Sequence, residues 1–345
     1  MEKRSFHSLT KPFIIAEMSG NHKQSLERAL RIVDAAAEAG VDAIKLQTYT
    51  ADTMTLDVKK EEFFIRDPKS PWCGSSLYAL YEKAHTPWEW QEKIFARAKE
   101  RGLVCFSTPF DATSVDFLEA LGAPCYKIAS FENTDLPLIR RVARTGKPLI
   151  ISTGMATVAE LDELVRTARE SGCTDLTLLK CTSSYPATPK GSNLRTIPHM
   201  RELFRCNVGL SDHTLGIGAA VASIALGATV IEKHFTLARA DGGVDSAFSM
   251  EPDEMAQLVR ECRAAWEALG EIRYDVQPEE QSSRVFRRSL YIVADMRAGD
   301  VLTAENMRAI RPGYGLHPRY YDMLLGKCVR CDVKRGTALS WDVLM

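Results

Sequence analysis

The sequence lacks the features that would place a protein in a membrane or on nucleic acid. Its longest apolar stretch, residues 218–231, is too short and too rich in glycine and alanine to span a bilayer. The N-terminal residues carry charges with no apolar run behind them, so we expect no secretory signal. Basic and acidic residues nearly balance, 44 against 45, without a basic stripe or a charged tail. We therefore expect neither a membrane nor a nucleic acid as partner.

The sequence also lacks a disulfide pattern. Its nine cysteines are an odd number scattered along the chain. We expect free thiols and a reducing cytoplasm as the compartment.

Short apolar runs alternate with amphipathic segments from residue 13 to about residue 270. The runs are typical of buried parallel strands: FIIAEM, AIKLQT, VCFSTPF, CYKIAS, PLIISTGM, LTLLKCTSSYP, NVGLSDHT and VIEKHFT. Helical patterns lie between most of them, and several end at glycine. Eight such units predict an α/β fold, a (β/α)8 TIM barrel. An open doubly wound sheet is the alternative, but no GxGxxG follows the first strand.

Three segments are predicted along the chain. Residues 1–270 form the barrel domain, and the polar, proline-containing residues 271–284 form a linker. Residues 285–345 contain a weak internal repeat, because DMRAGDVLTAENM and DVKRGTALSWDVL match at an offset of 37. The repeat predicts a small β-rich domain with twofold character.

One connection is unusually long for a barrel. Residues 49–88, after the second predicted strand, carry Trp72, Tyr78, Tyr81 and Trp88. Long loops in compact domains are often lids or binding loops. These aromatic residues either contact substrate or tether the loop to the barrel.

Polar side chains follow the predicted strands, whose carboxyl ends share one face of a barrel, where active sites lie. Lys45 and Lys127 are the cations of this set that suit an anion with a carboxylate and a phosphate. The hydroxyl groups suited to the same anion belong to Thr108, Ser130, Ser152 and Ser211.

His213 and His234 end the seventh and eighth predicted strands. Neighbouring strands lie about 4.8 Å apart, so two imidazoles at equal height can share one divalent ion that keeps open positions. Glu17 and Glu232 are then available for proton transfer. His22 is either a third ligand or a substrate contact, and each histidine can instead be a hydrogen-bonded rim residue.

Several motifs together resemble the sialic acid synthase family over nearly the whole chain. They are IIAEMSGNH, AIKLQTYT, FSTPFDATSVDFLE, YKIASFENTDLPLI, PLIISTGMA, KCTSSYPA, GLSDHTLG, IEKHFTL and RRSLYIV with IRPGYGLHP. The resemblance implies a TIM barrel followed by an antifreeze-like (SAF, β-clip) domain. It also implies condensation of phosphoenolpyruvate with an amino sugar to give a nine-carbon ulosonic acid and phosphate.

Residue roles follow from the same resemblance. It implies His213 and His234 as ligands of a divalent ion (Mn²⁺, Mg²⁺ or Co²⁺), and Glu17 and Glu232 as carboxylates that handle the sugar and the protons. The implied phosphoenolpyruvate contacts are Lys45, Thr108, Lys127, Ser130, Ser152 and Ser211. The candidate sugar contacts are Asn21, His22, Gln47, Ser183 and Arg311. A domain-swapped homodimer is also implied, with Arg311 reaching the partner subunit's barrel.

The motifs LYALYEKAHTPWEW and DGGVDSAFSMEP resemble the subgroup that forms pseudaminic acid from a 2,4-diacetamido-2,4,6-trideoxy-L-altrose. Ser183 stands where synthases of N-acetylneuraminate usually carry asparagine. Synthesis of N-acetylneuraminate or legionaminate from another amino sugar remains the alternative.

Two other functions compete with this one. A class I aldolase would form a Schiff base through Lys127 or Lys233. A sugar- or ice-binding protein built around the C-terminal domain would need no catalytic groups.

Overall fold

The computed structural model of the protein describes Phe6 and residues 9–68 and 70–345. These residues divide into two compact units, the first ending at Gly270 and the second spanning 271–345. The first unit contains a closed barrel of eight parallel strands, which pair in chain order. The predicted (β/α)8 barrel is therefore confirmed.

The eight barrel strands are three to six residues long, as expected for strands buried on both faces. They are β1 Phe13–Glu17, β2 Ala43–Thr48, β3 Val104–Pro109, β4 Tyr126–Ile128, β5 Leu149–Ser152, β6 Leu176–Cys181, β7 Asn207–Ser211 and β8 Val230–His234. The last strand pairs with the first, with His234 opposite Glu17, and this pairing closes the barrel.

Helices surround the barrel, and several begin at a polar N-cap whose side chain accepts a backbone N–H, such as Ser25 and Thr157. Their bounds are α1 Leu26–Glu38, α2 Ala51–Met54, α3 Leu77–Ala84, α4 Trp88–Glu100, α5 Ala112–Ala120, α6 Leu136–Ala143, α7 Val158–Glu170, α8 Thr196–Phe204, α9 Gly218–Ala225 and α10 Pro252–Leu269. The buried faces of α1 and α4–α10 pack on the outward side chains of the strands.

The interior of the barrel is built in layers, because every second side chain of a strand points inward. The lower layer is apolar and contains Phe13, Ile15, Ala43, Phe106, Cys125, Ile150, Leu179 and Val230. Two residues further along several of these strands come polar groups: Ile15 is followed by Glu17, Ala43 by Lys45, and Val230 by Glu232. Because of this alternation, a layer of charged side chains lies next to the apolar layer inside the barrel.

Gly209 of β7 makes this apolar layer possible. A Cβ at this position would overlap the carbonyl oxygen of Val230 and lie 2.6 Å from Leu179 Cδ2. Only glycine leaves room there for Leu179 to fill the barrel.

The long connection between β2 and α4 has structure of its own. It contains α2, a 3-10 turn at Glu61–Phe63, and α3, and a single bridge pairs Phe64 with Ser76. It folds as a compact segment in which short helices replace an open loop.

The second unit has its own core around two antiparallel strands, β9 Ser289–Ile292 and β10 Met307–Ile310, with the short helix α11 Tyr321–Leu324. A 3-10 helix, Pro278–Phe286, begins in the stretch 271–284 expected to be a linker and ends two residues beyond it. Met296 pairs with Val333, and these two positions correspond in the two copies of the internal repeat. The twofold character of the repeat thus appears in the pairing of its copies.

Among the helices that the structure describes, none has the length and apolar character needed to cross a bilayer. All nine cysteines are free thiols, and six of them are buried.

Candidate functional site

A cavity of about 500 Å³ opens at the carboxyl ends of the barrel strands. Its lining includes the inward-facing strand ends Glu17, Lys45, Gln47, Lys127, Ser152, Cys181, Ser211, Glu232 and His234. Residues that follow the strands complete this wall, among them Ser130, Tyr185, His213 and Asp245. The face is the one on which barrel enzymes hold their active sites.

Two buried lysines and two buried carboxylates alternate across the cavity floor. Lys45 Nζ lies 3.0 Å from Glu17 Oε2 and 3.2 Å from Glu232 Oε2. Lys127 Nζ lies 3.5 Å from Glu232 Oε1, and Ser211 Oγ donates to the same oxygen at 3.0 Å. Charges at this depth are costly unless they are paired, so the network holds each group in a defined place.

The network also sets the protonation of its members. Burial alone would raise the pKa of the Glu17 carboxyl, but the charges of Lys45, His234 and Lys127 bring it below its ordinary value. The pKa of Glu232 is likewise lowered, because Lys127 and Lys45 outweigh the effect of burial. Burial lowers the pKa of Lys127. Both carboxylates are therefore ionised at neutral pH and can accept a proton.

Two of the hydroxyl groups predicted to bind the anion have no hydrogen-bond partner. The oxygens Ser152 Oγ and Thr108 Oγ1 are buried and make no hydrogen bond within the described part of the chain. Ser152 lines the cavity, as Ser130 does, whereas Thr108 is not among the lining residues. Ser130 Oγ accepts a bond from Gly154 N at 3.1 Å. A buried hydroxyl without a partner is costly, and an anion bound beside the lysines would give Ser152 an acceptor.

His213 and His234 face each other above the network, with ring centroids 5.3 Å apart. His213 Nδ1 lies 3.1 Å from the carbonyl oxygen of Thr182, so in the neutral ring Nε2 carries the free lone pair. Burial would lower the pKa of His213, but its hydrogen bond to Cys181 and the Cys181 charge raise it. His234 Nδ1 is buried and makes no hydrogen bond within the described residues. Burial lowers the pKa of His234, so its ring is neutral.

These two rings fit the predicted metal site. In the described part of the chain no three His, Cys, Asp or Glu side chains form a ligand cluster, so the protein offers two imidazole nitrogens. Imidazole is a good ligand for divalent transition metals, and two protein ligands would leave open positions for substrate. His234 has a buried nitrogen without a hydrogen-bond partner among the described residues, and the bond from His213 to Thr182 orients the His213 ring. Both features fit such a site.

Aromatic side chains enclose the two histidines. The Tyr185 ring centroid lies 4.5 Å from that of His213, and the Phe248 centroid lies 5.0 Å from that of His234. Trp72 contacts both Tyr185 and Phe248, and its Nε1 donates to the carbonyl oxygen of Val244 at 2.8 Å. This apolar surround strengthens electrostatic interactions inside it.

The aromatic residues of 49–88 have different surroundings. Trp72 and Tyr81 line the cavity, where a substrate contact stays a prediction. Trp88 packs on Phe117 of α5 and so tethers the segment to the barrel domain. The Tyr78 hydroxyl donates to Asp52, which lies within the same segment.

The candidate sugar contacts lie in different surroundings. Gln47 lines the cavity and donates to Glu17 Oε1 at 2.9 Å. Ser183 adjoins it, with its Oγ 3.9 Å from Cys181 Sγ. Arg311 is an exposed residue of the second unit, just after β10.

The structure does not bring Asn21 and His22 to the cavity lining. The Asn21 amide donates to the carbonyl oxygen of Phe235 and to Ser249 Oγ, each at 2.9 Å. The His22 ring accepts from Gln24 N and lies 3.2 Å from Thr86 Oγ1, and burial lowers its pKa to about 4. Both side chains are thus used to hold the segment after β1, a role that their position in the sequence did not reveal.

Glu132, Cys181 and Asp245 are ionisable residues of the cavity that were not among the predicted site residues. Burial raises the pKa of Glu132 to about 7, and its Oε2 has no hydrogen-bond partner among the described residues. Burial would raise the pKa of the Cys181 thiol, but the hydrogen bond and charge of His213 lower it to about 7. Asp245 accepts a hydrogen bond from the Ser19 hydroxyl, and its Oδ2 lies 3.9 Å from His234 Nδ1. Cys181 could have been found from its place at a strand end, whereas Glu132 ends a 3-10 turn after β4 and Asp245 lies in a loop after β8.

Both units match known families. The model of the NeuB family matches residues 32–274, and that of the SAF domain matches residues 287–345. A pseudaminic acid synthase of Campylobacter jejuni is 45% identical to this chain, covering 99% of it and 98% of the relative. One from Helicobacter pylori is 42% identical, covering 97% and 98%.

A solved structure is also similar. The N-acetylneuraminic acid synthetase of Leptospira borgpetersenii, in complex with citrate, superposes with a TM-score of 0.71. It is 31% identical to this chain, and the match covers 79% of this chain and 90% of that structure.

Proposed function

We propose that this chain, which belongs to the NeuB family, catalyses the reaction of a pseudaminic acid synthase. Phosphoenolpyruvate, water and the open-chain form of 2,4-diacetamido-2,4,6-trideoxy-β-L-altropyranose give pseudaminic acid and phosphate. The observation that carries the chemistry is the buried Glu17–Lys45–Glu232–Lys127 network below two facing imidazoles. The choice of sugar is supported by the 45% and 42% identity to pseudaminic acid synthases, against 31% for the N-acetylneuraminic acid synthetase.

Phosphoenolpyruvate would bind beside the two lysines. Lys45 and Lys127 supply positive charge for its carboxylate and phosphate, as a buried anion requires. The unpaired Ser152 and Thr108 hydroxyls and those of Ser130 and Ser211 supply short donors around it. Its methylene carbon can then face the histidines, where the aldehyde is held.

A divalent ion (Mn²⁺, Mg²⁺ or Co²⁺) held by His213 and His234 would act as a Lewis acid toward the aldehyde oxygen of the sugar. Tyr185, Phe248 and Trp72 exclude water around the two rings. Gln47 and Ser183 are then placed to contact the sugar.

Carbon–carbon bond formation leaves positive character on the second carbon of phosphoenolpyruvate. Glu17 and Glu232, both ionised, would stabilise that charge. One of them would take a proton from the water that adds to this carbon, and the C–O bond to phosphate then breaks. Glu132, with a pKa near neutrality, can hold and release a proton at the cavity wall.

Arg311 would complete the site from a second copy of the chain. Its position in the second unit, and not in the barrel unit that carries the cavity, fits the domain-swapped homodimer that we propose. It would contact an acyl group of the sugar.

The decisive test is phosphate release from phosphoenolpyruvate in the presence of Mn²⁺. The altrose derivative should support turnover, while N-acetylmannosamine and the legionaminic acid precursor should support little. If the protein preferred either of the other sugars, that sugar would replace the altrose derivative as the proposed substrate. No phosphate with any sugar would reject the synthase.

An aldolase that acts through Lys127 is the second candidate, because burial lowers the pKa of this amine. Borohydride added with a carbonyl substrate would trap a Schiff base as a covalent adduct. A synthase should instead lose activity in EDTA and form no adduct. Lys233 no longer supports this candidate, because all three of its donors are hydrogen-bonded within the fold.

A further inference from the structure

A buried ion pair lies directly behind the two histidines. Asp212 precedes His213, and Lys233 precedes His234, so the period of the strands turns both side chains away from the cavity. Lys233 Nζ lies 2.8 Å from Asp212 Oδ2, and the side chains are 1% and 2% exposed. The pair thus joins the end of β8 to the residue just after β7, on the outer face of the barrel wall.

Lys233 uses every donor it has. Besides Asp212, its ammonium group donates to the carbonyl oxygens of Thr214 at 2.7 Å and Gly216 at 3.0 Å. Asp212 Oδ1 accepts from Thr214 N at 2.9 Å, and Asp212 N donates to the carbonyl oxygen of Glu232 at 2.9 Å. Four of these hydrogen bonds join residues 212–216 to β8, and the fifth, from Thr214 N to Asp212, holds the segment itself.

A further hydrogen bond links residues 212–216 to the aromatic side chains that enclose the histidines. Ala187 N donates to the carbonyl oxygen of His213 at 2.9 Å, and Ala187 pairs with Thr214 as an isolated bridge. The Tyr185 ring, two residues earlier, packs on His213. A shift of residues 212–216 would therefore move His213 and Tyr185 together.

Stability alone is a weak reason for this arrangement. Burying two charges costs about as much as their attraction returns, and apolar replacements of such pairs are often neutral or stabilising. An ammonium group with three fixed acceptors does, however, impose geometry that an apolar pair cannot impose.

We infer that Asp212 and Lys233 are positioning residues that set the separation of His213 and His234 for one shared divalent ion. This inference rests on the metal site of the proposed function. Neither side chain touches the cavity, so both act only through the backbone of the residues that follow them. Groups hydrogen-bonded to metal ligands change metal affinity by about 10–100-fold when they are removed, and we expect an effect on this scale from the backbone shift that loss of the Asp212–Lys233 pair would cause.

The test replaces both charges at once, in the double variant Asp212→Leu/Lys233→Met, and measures Mn²⁺ affinity by electron paramagnetic resonance. Mn²⁺ should bind about 10–100-fold more weakly, while the thermal unfolding midpoint stays close to that of the unchanged protein. The control is Lys147→Met, which breaks the ion pair with Glu119 elsewhere on the barrel and should leave Mn²⁺ affinity unchanged. A folded double variant with unchanged Mn²⁺ affinity would overturn the inference.

Asp212→Asn provides a second test if the double variant does not fold. The amide keeps the shape but cannot accept from both Lys233 Nζ and Thr214 N, so Mn²⁺ should again bind more weakly. Unchanged affinity in this variant rejects the positioning role. His234→Ala separates the two proposals: if the unchanged protein and His234→Ala bind Mn²⁺ equally, the metal site itself fails. If only His234→Ala loses binding, the metal site stands and the positioning role falls.

Discussion

Glu17 and His234 lie side by side where the barrel closes, with His234 Nε2 3.4 Å from Glu17 Oε2. Glu17 ends the first strand and His234 ends the last, and the two residues are paired in register. Closure therefore places a carboxylate against one of the two imidazoles and next to Lys45. The carboxylate that we propose as a base, a proposed metal ligand and the cation that we propose binds the anion thus lie within a few ångströms of each other.

Replacing His234 with alanine should remove Mn²⁺ binding and reduce turnover by about 100-fold or more, the scale for loss of electrostatic stabilisation at the reacting oxygen. The fold should survive, because the ring lies at the cavity and not in the apolar layer. Mn²⁺ titration and the unfolding midpoint measure the two effects separately. His199→Ala, at an exposed position on α8, is the control. Near-normal activity of His234→Ala at low metal would remove this residue from the ligand set.

Gly154→Ala should raise the KM for phosphoenolpyruvate by about tenfold, equivalent to about 1.4 kcal/mol. A Cβ there would overlap Ser183 Oγ and lie 2.6 Å from Ser130 Oγ, displacing a hydroxyl that we assign to the anion. Steady-state kinetics with varied phosphoenolpyruvate gives the value. Gly218→Ala is the matched control, because a Cβ at Gly218 meets nothing within 4 Å. Equal KM values for both variants would contradict the role of Ser130.

Glu132→Gln should change how stability depends on pH. Burial raises the pKa of Glu132 from 4.5 to about 7, so between these values the folded state keeps a proton that the unfolded chain has released. The folded protein therefore loses stability as pH rises through this window, by about 3 kcal/mol in total. The glutamine variant is neutral throughout and avoids this loss.

Urea unfolding at about pH 8 and about pH 4 tests this expectation. The variant should be more stable than the unchanged protein at the higher pH and nearly equal to it at the lower pH. Glu163→Gln, at an exposed position on α7, should show no such difference. A gain that is the same at both pH values would mean that the titration of Glu132 is not its cause.

Arg311→Ala should raise the KM for the sugar by about tenfold and leave the KM for phosphoenolpyruvate nearly unchanged, since we place this arginine at an acyl group alone. Arg308→Ala, another exposed arginine of the second unit, serves as the control. Deleting residues 285–345 should have the same selective effect. A sugar KM that does not change in either case would count against Arg311 as a contact.

The layering of the barrel interior was accessible from the sequence. Apolar residues at every second position are followed two residues later by Glu17, Lys45, Lys127 or Glu232. Because side chains alternate along a strand and one face of a closed barrel points inward, this pattern already indicates a polar layer inside the barrel. Asn21 and His22 show the limit of this reasoning. They follow β1 closely, yet the 3-10 turn at Ser19–His22 directs them into hydrogen bonds with neighbouring segments.

Loop residues were beyond prediction for a different reason. Glu132, Tyr185 and Asp245 reach the cavity from segments whose path depends on packing against other loops, and nothing in their local sequence specifies that path. Asp212 had no assigned role until Lys233 was found beside it on the next strand.

The sequence by itself determined the eight strand–helix units, the set of ionisable residues at their ends and the repeated C-terminal unit. Hydrophobic periodicity and helix capping are local properties, because they depend on residues that are close together in the chain. Only the tertiary structure decided which of those residues meet: that Glu17 adjoins His234, that Lys45 bridges two carboxylates, and that Lys233 is held behind the histidines rather than offered to a substrate. Those relations depend on strand register and on the burial of charge, which arise only when distant segments pack together.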